Sequence, residues 1–241
     1  MHKLSVVIPA YKEEHRIGAT LEALNAYLSG QQYEWEILVC IDGSPDNTNG
    51  VVEKYRPQIP NLKIFNNQKN HGKGWVVRQG MLAATGDFRL FTDADNSTDI
   101  SQVEKFWPFA LEQNYDVVIG SIEVEGAKIN EHAQWYRRAF GHWSKYLIRI
   151  VAGLWSTHDT QRGFKLFSAK AAHNVFSKAL VDRFGFDIEI LAVAKKKKYK
   201  IKEVGVVWNN AGESTVSLKS YFEVLKDLFR IRWNLWTGKY K

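Results

Sequence analysis

An α/β fold, with a mostly parallel sheet covered by helices on both faces, is the expectation for this chain of 241 residues, and three observations carry it. Short apolar runs alternate with segments whose apolar residues recur at three- and four-residue steps, the pattern of strands joined by crossover helices. The run Leu4-Ser5-Val6-Val7-Ile8 reads as a buried strand, and comparable runs begin near Glu36, Leu62, Phe88 and Val117. The loops after Ile8, Ile41 and Phe91 are polar and charged, and ligands in such sheets bind beyond the carboxyl ends of the strands.

The elements follow in order. After the first strand, Pro9-Ala10-Tyr11-Lys12-Glu13-Glu14 forms an exit loop, and Ile17, Leu21, Leu24 and Leu28 predict an amphipathic helix over 16–28. The second strand, Glu36 to Ile41, ends in Asp42-Gly43-Ser44-Pro45-Asp46-Asn47-Thr48, a capping-rich loop into a helix near Val51 to Tyr55. A third strand spans Leu62 to Phe65. Asn70-His71-Gly72-Lys73-Gly74 then opens a helix through Val77, Met81 and Leu82, where glycines and free N–H groups can approach a phosphate. A helix from Ile100 to about Glu112 and a strand at Val117 to Gly120 complete this half.

Phe88 to Phe91 is the strand of most chemical interest, because Asp93-Ala94-Asp95 follows it. Two carboxylates at a strand end suit a hard cation such as Mg²⁺, Mn²⁺ or Ca²⁺. A solvated turn, with Ser97 or Asp99 capping the next segment, fits the same residues.

The second half differs in character. Residues 1–120 hold 11 Lys+Arg and 15 Asp+Glu, and residues 121–241 hold 22 and 11, so the overall +7 sits in the second half. That half is the expected face for an anionic partner. Over 132–155, Trp135, Tyr136, Phe140, Trp143 and Tyr146 alternate with Arg137, Arg138, Lys145 and Arg149. A helix in a membrane interface and a core-packed helix with a charged outer face both fit. Asp159 to Phe167 reads as a loop into a strand, Asp187 to Ala194 as a helix ending in the lysines 195–198, Val204 to Trp208 as a last strand, and Leu218 to Trp236 as a further aromatic and basic helix. The lone Cys40, in an apolar run, reads as a core residue, and a chain with one cysteine has no disulfide framework, which favours a reducing compartment. No apolar stretch approaches the ~18 residues of a spanning helix.

Six segments, taken together and in this order, resemble glycosyltransferase family 2, with its Rossmann-like GT-A fold, across nearly the whole chain. They are Val6 to Glu14, Asp42-Gly43-Ser44, Asn70 to Gly74, Asp93-Ala94-Asp95, Asp159-Thr160-Gln161-Arg162-Gly163-Phe164-Lys165, and Arg183-Phe184-Gly185-Phe186-Asp187-Ile188-Glu189. Within the family they are most similar to polyprenyl-phosphate sugar transferases, and Arg183 to Asp187 to the dolichyl-phosphate glucosyltransferase branch. The resemblance implies a single domain over 1–241, with a nucleotide-sugar half (1–120) and an acceptor-binding, membrane-facing half (121–241). It implies inverting transfer of a hexose, glucose from UDP-glucose by branch or mannose from GDP-mannose, to a polyprenyl monophosphate, with Mg²⁺ or Mn²⁺. Pro9, Tyr11, Glu13, Asp42, Ala94 and Gln161 would contact the nucleotide sugar, and Lys73 the diphosphate. Asp93 and Asp95 would hold the metal; Asp95, Asp159 and Lys73 would be catalytic; Arg137, Arg138 and Arg149 would take the acceptor phosphate. Two positions depart from the family's pattern: Arg162 stands where relatives carry a small residue or cysteine, and Ser97 where the mannosyl branch has glutamine. Location is expected at the cytoplasmic membrane face, held peripherally by residues 132–155 and 218–236, with no nucleic acid as partner.

Three other readings are compatible with parts of the sequence. A family 2 enzyme with a glycan acceptor would act without lipid. A sugar nucleotidyltransferase needs a glycine-rich loop after the first strand, and Pro9 to Glu14 has no glycine. A basic nucleic-acid or membrane binding module would use residues 121–241 as its footprint.

Overall fold

The computed structural model describes residues 2–129, 147–209 and 218–241. Its centre is a seven-stranded sheet of β1 (Lys3–Ala10), β2 (Glu34–Asp42), β3 (Leu62–Asn67), β4 (Phe88–Thr92), β5 (Val117–Ser121), β7 (Phe164–Ser168) and β8 (Ile201–Gly205). The strand order is β3-β2-β1-β4-β7-β5-β8. All neighbours are parallel except β7, which runs antiparallel to both β4 and β5. Two short strands, β6 (Lys128–Ile129) and β9 (Val207–Trp208), pair separately. The mostly parallel α/β expectation is borne out.

Alternation along the strands sorts the core into two layers. Val7, Leu38, Cys40, Phe91, Val117, Ile119 and Phe167 face a layer with α3 (Lys73–Ala83), α4 (Ala169–Phe176), α5 (Phe186–Lys196) and α6 (Leu218–Thr237). Leu4, Val6, Ile8, Ile37, Val39, Leu90, Val118 and Leu166 face the other, with α1 (Ile17–Leu28) and α2 (Thr48–Tyr55). Each fully buried Val, Leu or Ile contributes about 1.5–3 kcal/mol. Cys40 belongs to the first layer, and burial pushes its thiol up to about 12, so it is inert packing.

Three expectations are corrected. Residues 100–112 do not form one helix; a 3₁₀ segment (Ile100–Lys105), capped by the Asp99 carboxylate, is followed by a π turn (Pro108–Glu112). Pro108 lacks the N–H that a continuous helix needs there. The last strand is not a single run over 204–208 but β8 and β9, divided at Val206, which donates to Ser121 O and accepts from Lys128 N. A helix absent from the sequence reading, α4, is capped by the Ser168 hydroxyl accepting from Ala171 N.

The lysines in the last turn of α5 do more than face water: Lys195 Nζ donates to Gly153 O and Lys196 Nζ to Leu235 O, both at 2.6 Å. They tie that helix end to the segment before β7 and to α6.

Candidate active site

β1, β2 and β4 all end at one edge of the sheet, and antiparallel β7 begins there, with Phe164 opposite Thr92. The polar loops therefore meet although no two are close in sequence. Asp93 follows β4 directly, and its N–H donates to Gly163 O at 3.2 Å. Its Oδ1 lies 2.6 Å from Lys73 Nζ, at the first residue of α3. A β-carbon on Gly163 would stand 2.1 Å from Asp93 Oδ2, so a bare Cα is what lets this carboxylate occupy its place. Asp95 Oδ1 accepts from Ser97 N at 3.0 Å, and Asn96 between them takes a left-handed φ of 53°. Ala94 is buried, and its carbonyl accepts from the Thr20 hydroxyl of α1 at 2.6 Å.

Lys73 is fixed from behind. Gly72 has φ 106°, and β-carbons on Gly72 and Gly74 would collide with the carbonyls of Asp182 and Val181 at 2.4 and 2.5 Å. Trp75 N donates to that same Asp182 carbonyl. Burial works against the Lys73 ammonium, but the carboxylates of Asp93, Asp187 and Asp95 outweigh it and hold its pKa above the ordinary value.

The Asp42 carboxylate, buried at the end of β2, accepts from His71 N and Gly72 N at 2.7 and 2.8 Å. Both oxygens hold the turn that aims α3. Pro9 is buried at the end of β1, and Tyr11 is exposed beyond it. Glu13 takes the Arg16 guanidinium through two bonds of 2.8 Å, and its N–H donates to Thr48 Oγ1. Burial raises the Glu13 pKa, Arg16 opposes the rise, and Asp95 and Asp93 add to it, so Glu13 feels the carboxylate pair.

The Asp159 loop reaches the same edge through β5. Asp159 Oδ2 accepts from Ile122 N at 3.2 Å and from Arg162 Nε at 3.4 Å, while Asp159 N donates to Glu203 of β8 at 2.8 Å. The Arg162 guanidinium lies over the Trp208 ring, 4.7 Å from its centroid. Gln161 is exposed. Arg149 Nη2 donates to His158 O at 3.3 Å. Arg137 and Arg138 lie outside the described residues.

Beneath the edge lies a buried ion pair that no local sequence pattern announces. Lys165 Nζ, wholly buried, lies 2.5 Å from Asp187 Oδ1 and also donates to Arg162 O. Burial raises the Asp187 pKa against the pull of Lys165 and Lys73. Asp187 at the start of α5 and Lys165 mid-strand were each visible, but their partnership spans 22 residues and exists only once β7 meets α5.

The donor chemistry fits a hard divalent cation. Asp93 and Asp95 offer oxygen ligands only, and no group of three or more His, Cys, Asp or Glu side chains among the described residues is arranged to hold an ion. Two carboxylates, completed by phosphate oxygens and water, is how Mg²⁺ commonly binds.

A carboxylate pair, a lysine-bearing helix start and the Asp42 and Asp159 loops thus share one sheet edge. The glycosyl transferase family 2 model matches residues 5–176, and the chain belongs to that family; it is a glycosyltransferase. Its sequence relatives narrow this. A dolichyl-phosphate beta-glucosyltransferase of Trichomonas vaginalis is 34% identical, covering 97% of this chain and 75% of its own. The human dolichyl-phosphate beta-glucosyltransferase is 31% identical, covering 99% and 78%. Among solved structures, a Mycobacterium tuberculosis glucosyl-3-phosphoglycerate synthase in complex with Mn²⁺, UDP and phosphoglyceric acid superposes with a TM-score of 0.70 at 15% identity, covering 97% of this chain and 78% of that one. The resemblance to the family, to its glucosyltransferase branch and to the GT-A fold is borne out.

No helix among the described residues is long and apolar enough to cross a membrane. Over the described part of 132–155, Ile148, Ala152 and Leu154 enter the core while Leu147, Ile150 and Trp155 stay exposed. α6 divides likewise: Leu228 and Ile231 are buried, and Phe229, Trp233 and Trp236 are 58%, 58% and 78% exposed.

Proposed function

We propose that this chain transfers glucose from UDP-glucose to a dolichyl or other polyprenyl monophosphate, inverting the anomeric configuration. The observation that carries the reading is the meeting of Asp93, Asp95, Lys73, Glu13 and the Asp159 loop at one sheet edge, in a chain whose relatives are named for this glucosyl transfer. A lipid phosphate oxygen attacks C1 of the sugar, the bond from C1 to the diphosphate oxygen breaks, and UDP leaves. The acceptor's second pKa near 6, judged from phosphoserine, leaves it largely dianionic at neutral pH, so it needs no proton removed.

The enzyme's task is therefore to bind, align and neutralise. Pro9, Tyr11, Glu13, Asp42, Ala94 and Gln161 contribute to the nucleotide-sugar pocket, and Asp42 also holds the turn before Lys73. Asp93 and Asp95 hold Mg²⁺ or Mn²⁺, which when bound supplies positive charge to the departing diphosphate. Lys73 contributes a second cation there. Asp159 positions Arg162 and the backbone after β5 beside the sugar. Arg137, Arg138 and Arg149 receive the acceptor phosphate, since guanidinium forks suit its oxygens.

Attachment to the membrane is peripheral, on the cytoplasmic face. It is supported by the exposed Phe229, Trp233 and Trp236 beside Arg230 and Arg232, a combination suited to the headgroup region of an anionic bilayer. The whole chain works as one domain, with residues 1–120 serving the donor and 121–241 the acceptor.

The test is transfer of radiolabel from UDP-glucose, with GDP-mannose in parallel, into an organic-extractable product in the presence of polyprenyl phosphate and Mn²⁺. Lipid-phase label from UDP-glucose that vanishes with EDTA is the expected result. Label from GDP-mannose alone would replace the sugar, and label appearing only on a soluble glycan would replace the acceptor.

A further inference from the structure

The metal proposed above would call on the carboxylate that Lys73 already holds. Asp93 Oδ1 is 2.6 Å from Lys73 Nζ, and the whole Asp93 carboxylate lies against the bare Cα of Gly163, where a β-carbon would stand 2.1 Å from Oδ2 and 2.5 Å from Oδ1. The backbone of Lys73 is equally confined, because Gly72 and Gly74 are closed against Asp182 and Val181. The lysine side chain, on a flexible four-carbon stem, has the longer reach of the two. Asp187, the next carboxylate in its electrostatic surroundings, is already paired with Lys165. A divalent ion added while Lys73 stays in place would put three positive charges on the Asp93 and Asp95 carboxylates. A diphosphate relieves that excess by offering the ammonium a new anionic partner at the start of α3.

Resting on the metal-assisted reading, we infer that Lys73 is a placeholder cation: it occupies Asp93 until a divalent ion and a nucleoside diphosphate arrive together, then passes to the diphosphate. Metal and nucleotide binding are then positively coupled, and because coupling is reciprocal, each tightens the other by the same factor. The lysine keeps Asp93 neutralised and aligned while the site is empty, and it disfavours occupation by a metal ion without nucleotide.

The test is Mn²⁺ affinity, read from the electron paramagnetic resonance signal of free Mn²⁺, with and without saturating UDP and with no turnover. The wild-type chain should bind Mn²⁺ weakly alone and at least about tenfold more tightly with UDP. Lys73→Met should bind Mn²⁺ alone about tenfold more tightly than wild type, UDP more weakly, and with a smaller coupling factor. Lys73→Arg, which keeps the charge, should stay near the wild-type Mn²⁺ affinity. Should the Met variant melt early, Lys73→Gln gives the same comparison. Unchanged or weaker Mn²⁺ binding in the neutral variants, against intact UDP-dependent binding in the wild type, overturns the placeholder role and leaves the metal reading standing. Absence of Mn²⁺ binding to the wild type even with UDP overturns both.

Discussion

Gly163 and Asp93 share a space too small for a side chain on the glycine: its β-carbon would be 2.1 Å from Asp93 Oδ2 and 2.4 Å from Cγ. The two residues come from adjacent antiparallel strand ends, and Asp93 N–H bonds to the glycine's carbonyl. Gly163→Ala should therefore push the Asp93 carboxylate away from Lys73 while leaving the sheet paired. Turnover is expected to fall on the order of 100-fold, the scale for a reacting group misplaced by about 1 Å. Thermal melting should drop by only a few degrees, equivalent to about 1 kcal/mol. Wild-type turnover in this variant would remove Asp93 from the site.

Asp95→Asn keeps the shape of the side chain and its acceptor bond from Ser97 N but removes the charge. Metal-dependent turnover is expected to fall about 10²- to 10³-fold with an unchanged melting curve. Measuring rate against Mn²⁺ concentration checks it; full activity at ordinary Mn²⁺ would contradict the assignment.

Glu36 provides a stability test far from the chemistry. It is buried in β2 and held by Lys63 at 2.6 Å, Ser5 Oγ at 2.6 Å, and Thr85 N and Oγ1 at 2.7 and 2.8 Å. Burial alone would raise its pKa, but these partners outweigh burial and hold it down, at about 2 against an ordinary 4.5. A depressed folded pKa stabilises the fold above the unfolded value, and the contribution is lost as pH falls from about 4.5 toward about 2. Its size is on the order of 3 kcal/mol. Glu36→Gln should unfold at lower urea than wild type at pH 7, and the gap should shrink to less than half by about pH 3 and close toward pH 2. A gap that persists unchanged there would refute the charge-based account.

The exposed face of α6 can be separated from the donor site. Trp233 and Trp236, with ring centroids 5.5 Å apart, lie on the outer side of a helix whose inner side carries Leu228 and Ile231. Replacing both with serine should abolish co-sedimentation with anionic vesicles and lower transfer to membrane-embedded polyprenyl phosphate about tenfold or more, with UDP affinity unchanged. Vesicle binding equal to wild type would move the contact elsewhere.

Much of the sheet edge could be anticipated because its signals are local. Asp93 and Asp95 stand two residues apart behind an apolar run, and Gly72 and Gly74 flank Lys73 where a periodic helix begins. What escaped depends on distant residues. The Lys165–Asp187 pair forms across a strand and a helix, and nothing in the residues around Lys165 distinguishes a buried lysine from a surface one in an alternating strand. Nor does the sequence around Asp42 show that folding brings His71 N and Gly72 N onto its two oxygens. Pro108 was a readable break, and Ser168 ahead of Ala171, Ala172, Val175 and Phe176 was a readable helix start, yet the surrounding apolar residues hid both. The reversed direction of β7 had no signal in the local pattern.

That reversal bears on how the protein emerges during synthesis. A nascent chain that has reached Ser121 already contains β4 and β5, which in the finished sheet are separated by a strand not yet made. Until Phe164 to Ser168 emerges, β4 keeps an open edge of unpaired backbone groups, and Asp93 lacks the Gly163 carbonyl to which its N–H bonds. Such an edge is available to any other extended chain nearby. The interval in which the chain is most prone to wrong pairing therefore begins with the translation of β4 and closes with the insertion of five residues, the same insertion that completes the carboxylate pocket.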